Sequence, residues 1–305
     1  MDRAFAARVL VCIFFLGSTV YAQETTSLDT NGQIFVAILD DAREEMVNWK
    51  PGIAQERVIR PAFEKTASGW KRVDSWSLAD HMNWTVAFDG RNLGKVDSQA
   101  DHEGAFHLTP AQRILTVASA VPTVGSPSQA FAGIKGIGPT KFRRPLVAVS
   151  QPNFHDPDGW KRTKLTDEVV ASLRKAFRRE YPHVDRCKDE QTVEDNWAFP
   201  DSALTFPVAY ASNKSSFLVE ASLNAGDCGW VDEPDDPESE PWFFVSGSGT
   251  IRRVGSFMSL LDAGDYDNDG KSEVIFFLSQ GENTDGFILF DASFENQVSL
   301  VWHYH

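Results

Sequence analysis

Short apolar runs separated by turn residues constrain the fold of this chain more than any other feature. They are rich in Val, Ile, Phe, Trp and Tyr and are bounded by Gly, Asn, Asp or Ser, which is the pattern of β-strands. The runs commonly lie about 10–20 residues apart, which favours antiparallel pairing through turns over repeated βαβ crossovers. We therefore predict a mainly β fold of short antiparallel strands, with a β-propeller-like arrangement as one option. The predicted strands are 34–39, 83–90, 113–119, 144–150, 204–212, 215–223, 241–249, 273–279, 286–291 and 298–305.

One segment departs from the β pattern and predicts an amphipathic α-helix near 166–181. Thr166 stands where an N-cap side chain accepts backbone hydrogen bonds, and acidic residues follow it at the positive end of the helix dipole. Val169, Leu173 and Phe177 recur at helical spacing and define an apolar stripe. Basic residues near the C-terminal end fit a solvated face or a recognition surface. We favour a helix packed on a sheet with its basic face in water.

The first 22 residues have the layout of a secretory signal peptide. A positive start precedes a short apolar run, and small residues lead to a cleavage point after Ala22. The apolar run is too short to cross a bilayer comfortably, and no later segment approaches the length of a transmembrane helix. We predict a signal peptide over 1–22 and a secreted or periplasmic β-rich region over 23–305. That region is read as one domain, or as two with an internal break near 150–165.

Charge and cysteine content narrow the classes of function. The formal net charge of −14 disfavours nucleic-acid binding, which needs clustered Lys and Arg, and it is compatible with divalent cations. Cys187 and Cys228 lie beyond the predicted signal peptide, and in an oxidising compartment such a pair predicts a disulfide. His183, four residues before Cys187, leaves a catalytic thiol as the alternative.

Alternating aspartates stand out in the stretch DAGDYDNDGKSEVIFF, residues 262–277. Counted from Asp265, the carboxylates of Asp265, Asp267 and Asp269 occupy positions 1, 3 and 5, and Gly270 follows at position 6. Calcium takes six to eight oxygen ligands, so alternate carboxylates on a tightly curled loop suit it. Glycine supplies the sharp turn that a side chain would obstruct. A metal-free Asp/Gly turn is the alternative.

The end of this stretch indicates which kind of calcium loop it is. An EF-hand requires an acid at position 12, where this chain has Phe276 inside an apolar run. Glu273 instead closes a loop of nine residues that feeds directly into a predicted strand. Over 255–291 the sequence resembles the FG-GAP/VCBS repeat of the integrin α-chain type, whose pattern is D-x-D-x-D-G-x-x-D/E followed by a hydrophobic strand.

The resemblance carries expectations about structure and ligands. It implies that the loop at 265–273 bridges two strands of a propeller blade and binds calcium. It also implies which residues supply the ligands: the side chains of Asp265, Asp267, Asp269 and Glu273, and the backbone carbonyl of Lys271. A full set of carboxylates leaves little room for substrate, and calcium activates water poorly beside zinc, so a structural role is favoured.

Other motifs are less informative about chemistry. G-x-S-x-G, H-E-x-x-H and C-x-x-C do not occur, so no recognisable catalytic motif decides whether the chain is an enzyme. The stretch NFHDPDGW at 153–160 is either an acid–histidine cluster or, as we favour, an Asp-Pro-Asp-Gly turn. The tetrapeptide GWKR occurs at 69–72 and again at 159–162, which is too short to establish a repeat.

The sequence thus predicts an exported β-rich protein with a structural calcium loop, acting as a binding or scaffold module. Its partner is expected to be a protein or a glycan, not nucleic acid, and no integral membrane segment is expected after signal removal. The alternative is an extracellular or periplasmic polymer-degrading enzyme, a glycoside hydrolase or polysaccharide lyase, in which calcium is structural.

Overall fold

Antiparallel strands dominate the structure, a computed structural model that describes residues 33–41, 57–73, 78–100, 112–115, 146–182, 200–224, 235–236, 239–280 and 284–303. These ranges contain sixteen strands, one α-helix and one short 3₁₀ helix, Asp201–Ala203, so the predicted mainly β class is confirmed. The strands are β1 Ile34–Asp41, β2 Arg57–Thr66, β3 Gly69–Arg72, β4 His81–Phe88, β5 Arg91–Ala100, β6 Gln112–Ile114, β7 Leu146–Val149, β8 Lys161–Arg162, β9 Leu204–Ala211, β10 Phe217–Leu223, β11 Trp242–Val245, β12 Ile251–Gly255, β13 Met258–Gly264, β14 Glu273–Gln280, β15 Thr284–Phe290 and β16 Gln297–His303.

The first seven strands form a sheet that closes on itself, and we call it the barrel sheet. Its order is β1-β7-β4-β5-β6-β2-β3, and β1 also pairs with β2, so six strands make a closed ring with β3 attached to β2. Side chains from all six ring strands fill the interior, and Trp84 is fully buried among them. The Trp84 indole N–H donates to Ser98 Oγ at 2.7 Å, which satisfies its buried donor. The short strand β6 closes the ring by pairing with three residues of β5 and two of β2.

The next five strands form a meander in the order β12-β11-β10-β9-β8, which we call the helix-covered sheet. Helix α1 (Asp167–Glu180) packs on it, as the sequence predicted. Thr166 is the N-cap and accepts from the Val169 N–H, while Leu173 and Phe177 are fully buried. The Phe177 ring lies 6.1 Å from that of Phe243 in β11. The apolar stripe read from the sequence is therefore the packed face of the helix.

Strands β13 to β16 form a third antiparallel meander, the loop sheet, which lies between the other two sheets. Successive side chains of β14 point to opposite faces, as the pleat requires. Val274 and Phe276 pack toward the helix-covered sheet, whereas Ile275 packs toward the outer face of the barrel sheet. Burial on both faces explains why this strand is a continuous apolar run.

Within the described residues these sheets do not form a closed ring of propeller blades. The chain passes from the barrel sheet to the helix-covered sheet between β7 and β8, inside the region of the proposed break near 150–165. Whether that region separates two domains stays a prediction. No helix in the described part of the chain is long and apolar enough to span a membrane.

Candidate metal site

Three aspartates of the loop between β13 and β14 converge on one point. Asp265, Asp267 and Asp269 each offer a carboxylate oxygen, and these oxygens all lie within 4.8 Å of one another. Asp265 is buried, whereas Asp269 is exposed, so the group opens from the protein interior toward solvent. Such a set of oxygens could hold a metal ion, and hard cations such as calcium prefer it.

The Asp265 carboxylate also holds the curl of the loop. It accepts from the Asp269 backbone N–H at 3.0 Å and from the Gly270 N–H at 2.9 Å. Gly270 has φ of +83°, and Asn268 has φ of +60°, both in the left-handed region. Glycine and asparagine are the residues that adopt this region at least cost, so the local sequence specifies the turn.

Glu273 lies at the other end of the loop and is almost fully buried. Its Oε2 accepts from the Tyr266 backbone N–H at 3.0 Å. Burial, followed by repulsion from the Asp267 carboxylate, raises the pKa of Glu273 to about 9. It is not one of the three residues whose oxygens converge within 4.8 Å. Its role as a ligand, and that of the Lys271 carbonyl, therefore stays a prediction.

A lysine from another sheet reaches this site. The Lys65 ammonium group, on β2 of the barrel sheet, donates to Asp267 Oδ2 and forms an ion pair with it. The same ammonium lies 5.2 Å from the centre of the Trp70 ring. The sequence does not suggest this contact, because the two partners come from distant parts of the chain.

The segment that follows β7 fastens the loop from a second side. Gln151 is buried, and its amide group donates to the Asp265 carbonyl at 3.0 Å. Its side-chain oxygen accepts from the Asn268 side-chain amide. The backbone N–H of Asp265 in turn donates to the His155 carbonyl at 2.9 Å. The loop at 265–273, which we call the metal loop, is thus tied to residues more than a hundred positions earlier.

Asp156 organises the turn predicted at 153–160. Its carboxylate accepts from three backbone N–H groups, those of Asp158 at 3.1 Å, Gly159 at 2.9 Å and Trp160 at 2.7 Å. The Ser272 hydroxyl donates to it as well. Burial raises the pKa of Asp156 above its ordinary value. These contacts are those of an Asp-Pro-Asp-Gly turn docked on the metal loop.

An aromatic contact supports the base of the loop. Tyr266 is fully buried, stacks on Phe154 with ring centres 5.2 Å apart, and donates its hydroxyl to Asp262 Oδ2 at 3.2 Å. The other oxygen of Asp262 accepts from the Gly90 N–H of the barrel sheet at 3.3 Å. A Cβ on Gly264 would lie 2.2 Å from the Phe154 ring, so only glycine permits this approach.

Comparison with protein-family models, curated proteins and solved structures found no match to this chain. The class that the structure defines is a mainly β protein with a three-aspartate group able to hold a metal ion. The resemblance of 255–291 to the FG-GAP/VCBS repeat stays a prediction that rests on the loop residues. Cys187 and Cys228 lie outside the described residues, as does the signal peptide predicted at 1–22.

Proposed function

We propose that this chain is an exported calcium-binding β protein that acts as a binding or scaffold module, in which calcium holds the loop at 265–273. The observation that supports the proposal most strongly is the convergence of Asp265, Asp267 and Asp269 within 4.8 Å. Oxygen ligands on a short loop favour calcium over zinc, which prefers nitrogen and sulfur. Secretion or a periplasmic location belongs to the proposal, and both compartments are oxidising.

Calcium would act structurally at this position. The loop touches both neighbouring regions, since Lys65 of the barrel sheet and Gln151 of the connecting segment contact it. Asp265 and Glu273 are buried, and buried carboxylates that repel one another destabilise a fold unless a cation compensates them. A bound divalent ion would supply that compensation and fix the loop to its neighbours.

The surroundings of the carboxyl groups with a raised pKa favour a binding module over a polymer-degrading enzyme. Among the described residues, Asp156 and Glu273 are the acids whose pKa is raised. Asp156 directs its oxygens to three backbone N–H groups of its own turn, and Glu273 belongs to the metal loop. A pair of acids placed for general acid and base work is the feature that a polymer-degrading enzyme would add. Within the described ranges, no further carboxyl group of raised pKa is found to supply such a pair.

Thermal unfolding tests the proposal. Purified protein is melted in EGTA and then in calcium, alongside Asp267→Ala and the surface control Asp80→Ala. Calcium at about 100 times its Kd should stabilise the wild type and Asp80→Ala by about 2.7 kcal/mol, and Asp267→Ala by much less. An unchanged wild-type midpoint would show that the loop is only a turn.

A further inference from the structure

A cleft of about 730 Å³ lies beside the metal loop and takes walls from all three sheets. Its lining includes Trp70 from the barrel sheet, Trp160 beside the helix-covered sheet, and Val298 from the loop sheet. Ligand clefts of this size hold drug-sized molecules or a few sugar rings.

The two tryptophans come from the two copies of GWKR. In each copy the glycine before the tryptophan has a positive φ, +119° at Gly69 and +62° at Gly159. In each tetrapeptide the chain turns at the glycine, and the tryptophan that follows lines the cleft. The copies belong to different sheets, so they are not a structural repeat, yet both indoles line the same cleft.

Trp160 carries a buried donor that lacks a partner. The residue is 6% exposed, and its indole N–H makes no hydrogen bond within the described part of the chain. Its ring packs edge-on against Phe294, with centres 6.4 Å apart. Buried indole N–H groups normally find an acceptor, and an oxygen of a ligand in the cleft would supply one.

Charged groups of both signs line the cleft. Three lysines line it, and each is close to an aspartate: Lys65 to Asp267, Lys214 to Asp158, and Lys271 to Asp269. Glu273 and Asp291 add two more carboxyl groups, and serine, asparagine and glutamine side chains complete the polar lining. Such a surface offers donors and acceptors side by side without the field that selects a strongly charged ligand.

We propose that this cleft binds a neutral oligosaccharide. Each sugar hydroxyl both donates and accepts, which matches the alternating ammonium and carboxylate groups, and the apolar face of a sugar ring matches the face of an indole. The inference rests on the proposed function as a binding module and names its ligand class.

Calorimetric titration of the full exported chain in calcium tests the inference. The probes are cellohexaose, xylohexaose, mannohexaose, laminarihexaose and, as a charged comparison, hexagalacturonate. At least one neutral probe should bind with a Kd below about 1 mM. Trp70→Ala should weaken that binding about tenfold, and Trp160→Phe about threefold. Trp302→Phe is the matched control, because Trp302 does not line the cleft, and it should leave the Kd unchanged.

Three results would overturn the inference: no neutral probe binds, hexagalacturonate binds most tightly, or Trp302→Phe weakens binding as much as Trp70→Ala. Melting each variant first confirms that it is folded, and Trp160→Phe keeps most of the ring packing if Trp70→Ala is unstable. Calcium binding is measured on the same samples. If the protein binds calcium but no sugar, the oligosaccharide proposal is wrong and the calcium proposal stands. If it binds sugar but no calcium, the calcium proposal is wrong and the oligosaccharide proposal stands.

Discussion

Lys65 and Asp267 form an ion pair that joins the barrel sheet to the metal loop. The Asp267 side chain is only 3% exposed, whereas that of Lys65 is 33% exposed. The ammonium group thus compensates a carboxylate that water scarcely reaches. Calcium and the Lys65 ammonium group would compete for the Asp267 carboxylate. Calcium binding at the loop would therefore change a contact with the barrel sheet.

Replacing Lys65 should therefore strengthen calcium binding. In Lys65→Met the aliphatic stem is retained while the positive charge that repels the ion is lost, and we expect the Kd to fall about threefold to tenfold. Lys71→Met is the matched control, because Lys71 on the neighbouring strand pairs with Glu64 and not with the loop. Calorimetric titration measures both. Equal Kd values for wild type and Lys65→Met would contradict the account.

The raised pKa of Glu273 predicts how stability depends on pH in metal-free protein. Its folded pKa of about 9 lies above the ordinary value of 4.5, so folding favours the protonated form. The stability from this group is complete below the ordinary value and is lost as pH rises toward 9. Glu273→Gln keeps an acceptor for the Tyr266 N–H but does not titrate.

Urea unfolding in EGTA between about pH 5 and pH 9 measures this dependence. Wild-type stability should fall across that range, and the fall should be shallower in Glu273→Gln. Parallel pH profiles for the two proteins would show that Glu273 is ionised in the folded state.

Gly264 should tolerate no larger residue while Phe154 is present. In Gly264→Ala the new methyl group would lie 2.2 Å from the Phe154 ring and 3.1 Å from the His155 carbonyl, so we expect a loss of about 2–3 kcal/mol. Denaturant unfolding gives the value. In a double-mutant cycle with Phe154→Ala, the cost of Gly264→Ala should shrink, because the ring that blocks the methyl is gone. Strictly additive losses would refute the steric explanation.

Gln151 should matter to calcium affinity although it is not a predicted ligand. Gln151→Leu preserves volume but removes the hydrogen bonds to the Asp265 carbonyl and the Asn268 side chain, so the loop is less well organised for the ion. We expect the Kd to rise about fivefold. Gln99→Leu, an exposed substitution on β5, serves as the control. An unchanged Kd in Gln151→Leu would mean that the loop is organised without this contact.

Local patterns predicted much of the fold, and long-range pairing was what they missed. Most apolar side chains of the recognised strands are buried or partly buried, so these strands appear in the sequence as apolar runs; they are β1, β4, β7, β9 to β11 and β14 to β16. Strand β5 was missed because, over its residues 91–99, only Val96 and Ser98 are fully buried. Strand β2 carries several charges and Pro61, and it pairs with β1 next to a bulge. Barrel closure also depends on the pairing of β1 with β7, in which Val36 lies opposite Val149, more than a hundred positions away.

At the candidate site, too, local sequence patterns predicted some residues, whereas contacts between distant segments were missed. The three aspartates and Gly270 lie within a few residues of one another, so their spacing in the sequence was enough to predict that they share one loop. Lys65 and Gln151 approach the loop only through the packing of the sheets, and no short motif records that. Their contributions needed the tertiary structure.

Counting calcium ions bound per chain tests the central claim most directly. Equilibrium dialysis followed by elemental analysis compares wild type, Asp269→Asn and the surface control Asp80→Asn. Asp269 is exposed and Asn has nearly the same shape, so the substitution removes a negative charge from the ion's surroundings without disturbing packing. We expect one calcium ion per chain in the wild type and in Asp80→Asn, and at least about tenfold weaker binding in Asp269→Asn. A wild type without calcium, or equal binding by all three proteins, would contradict it.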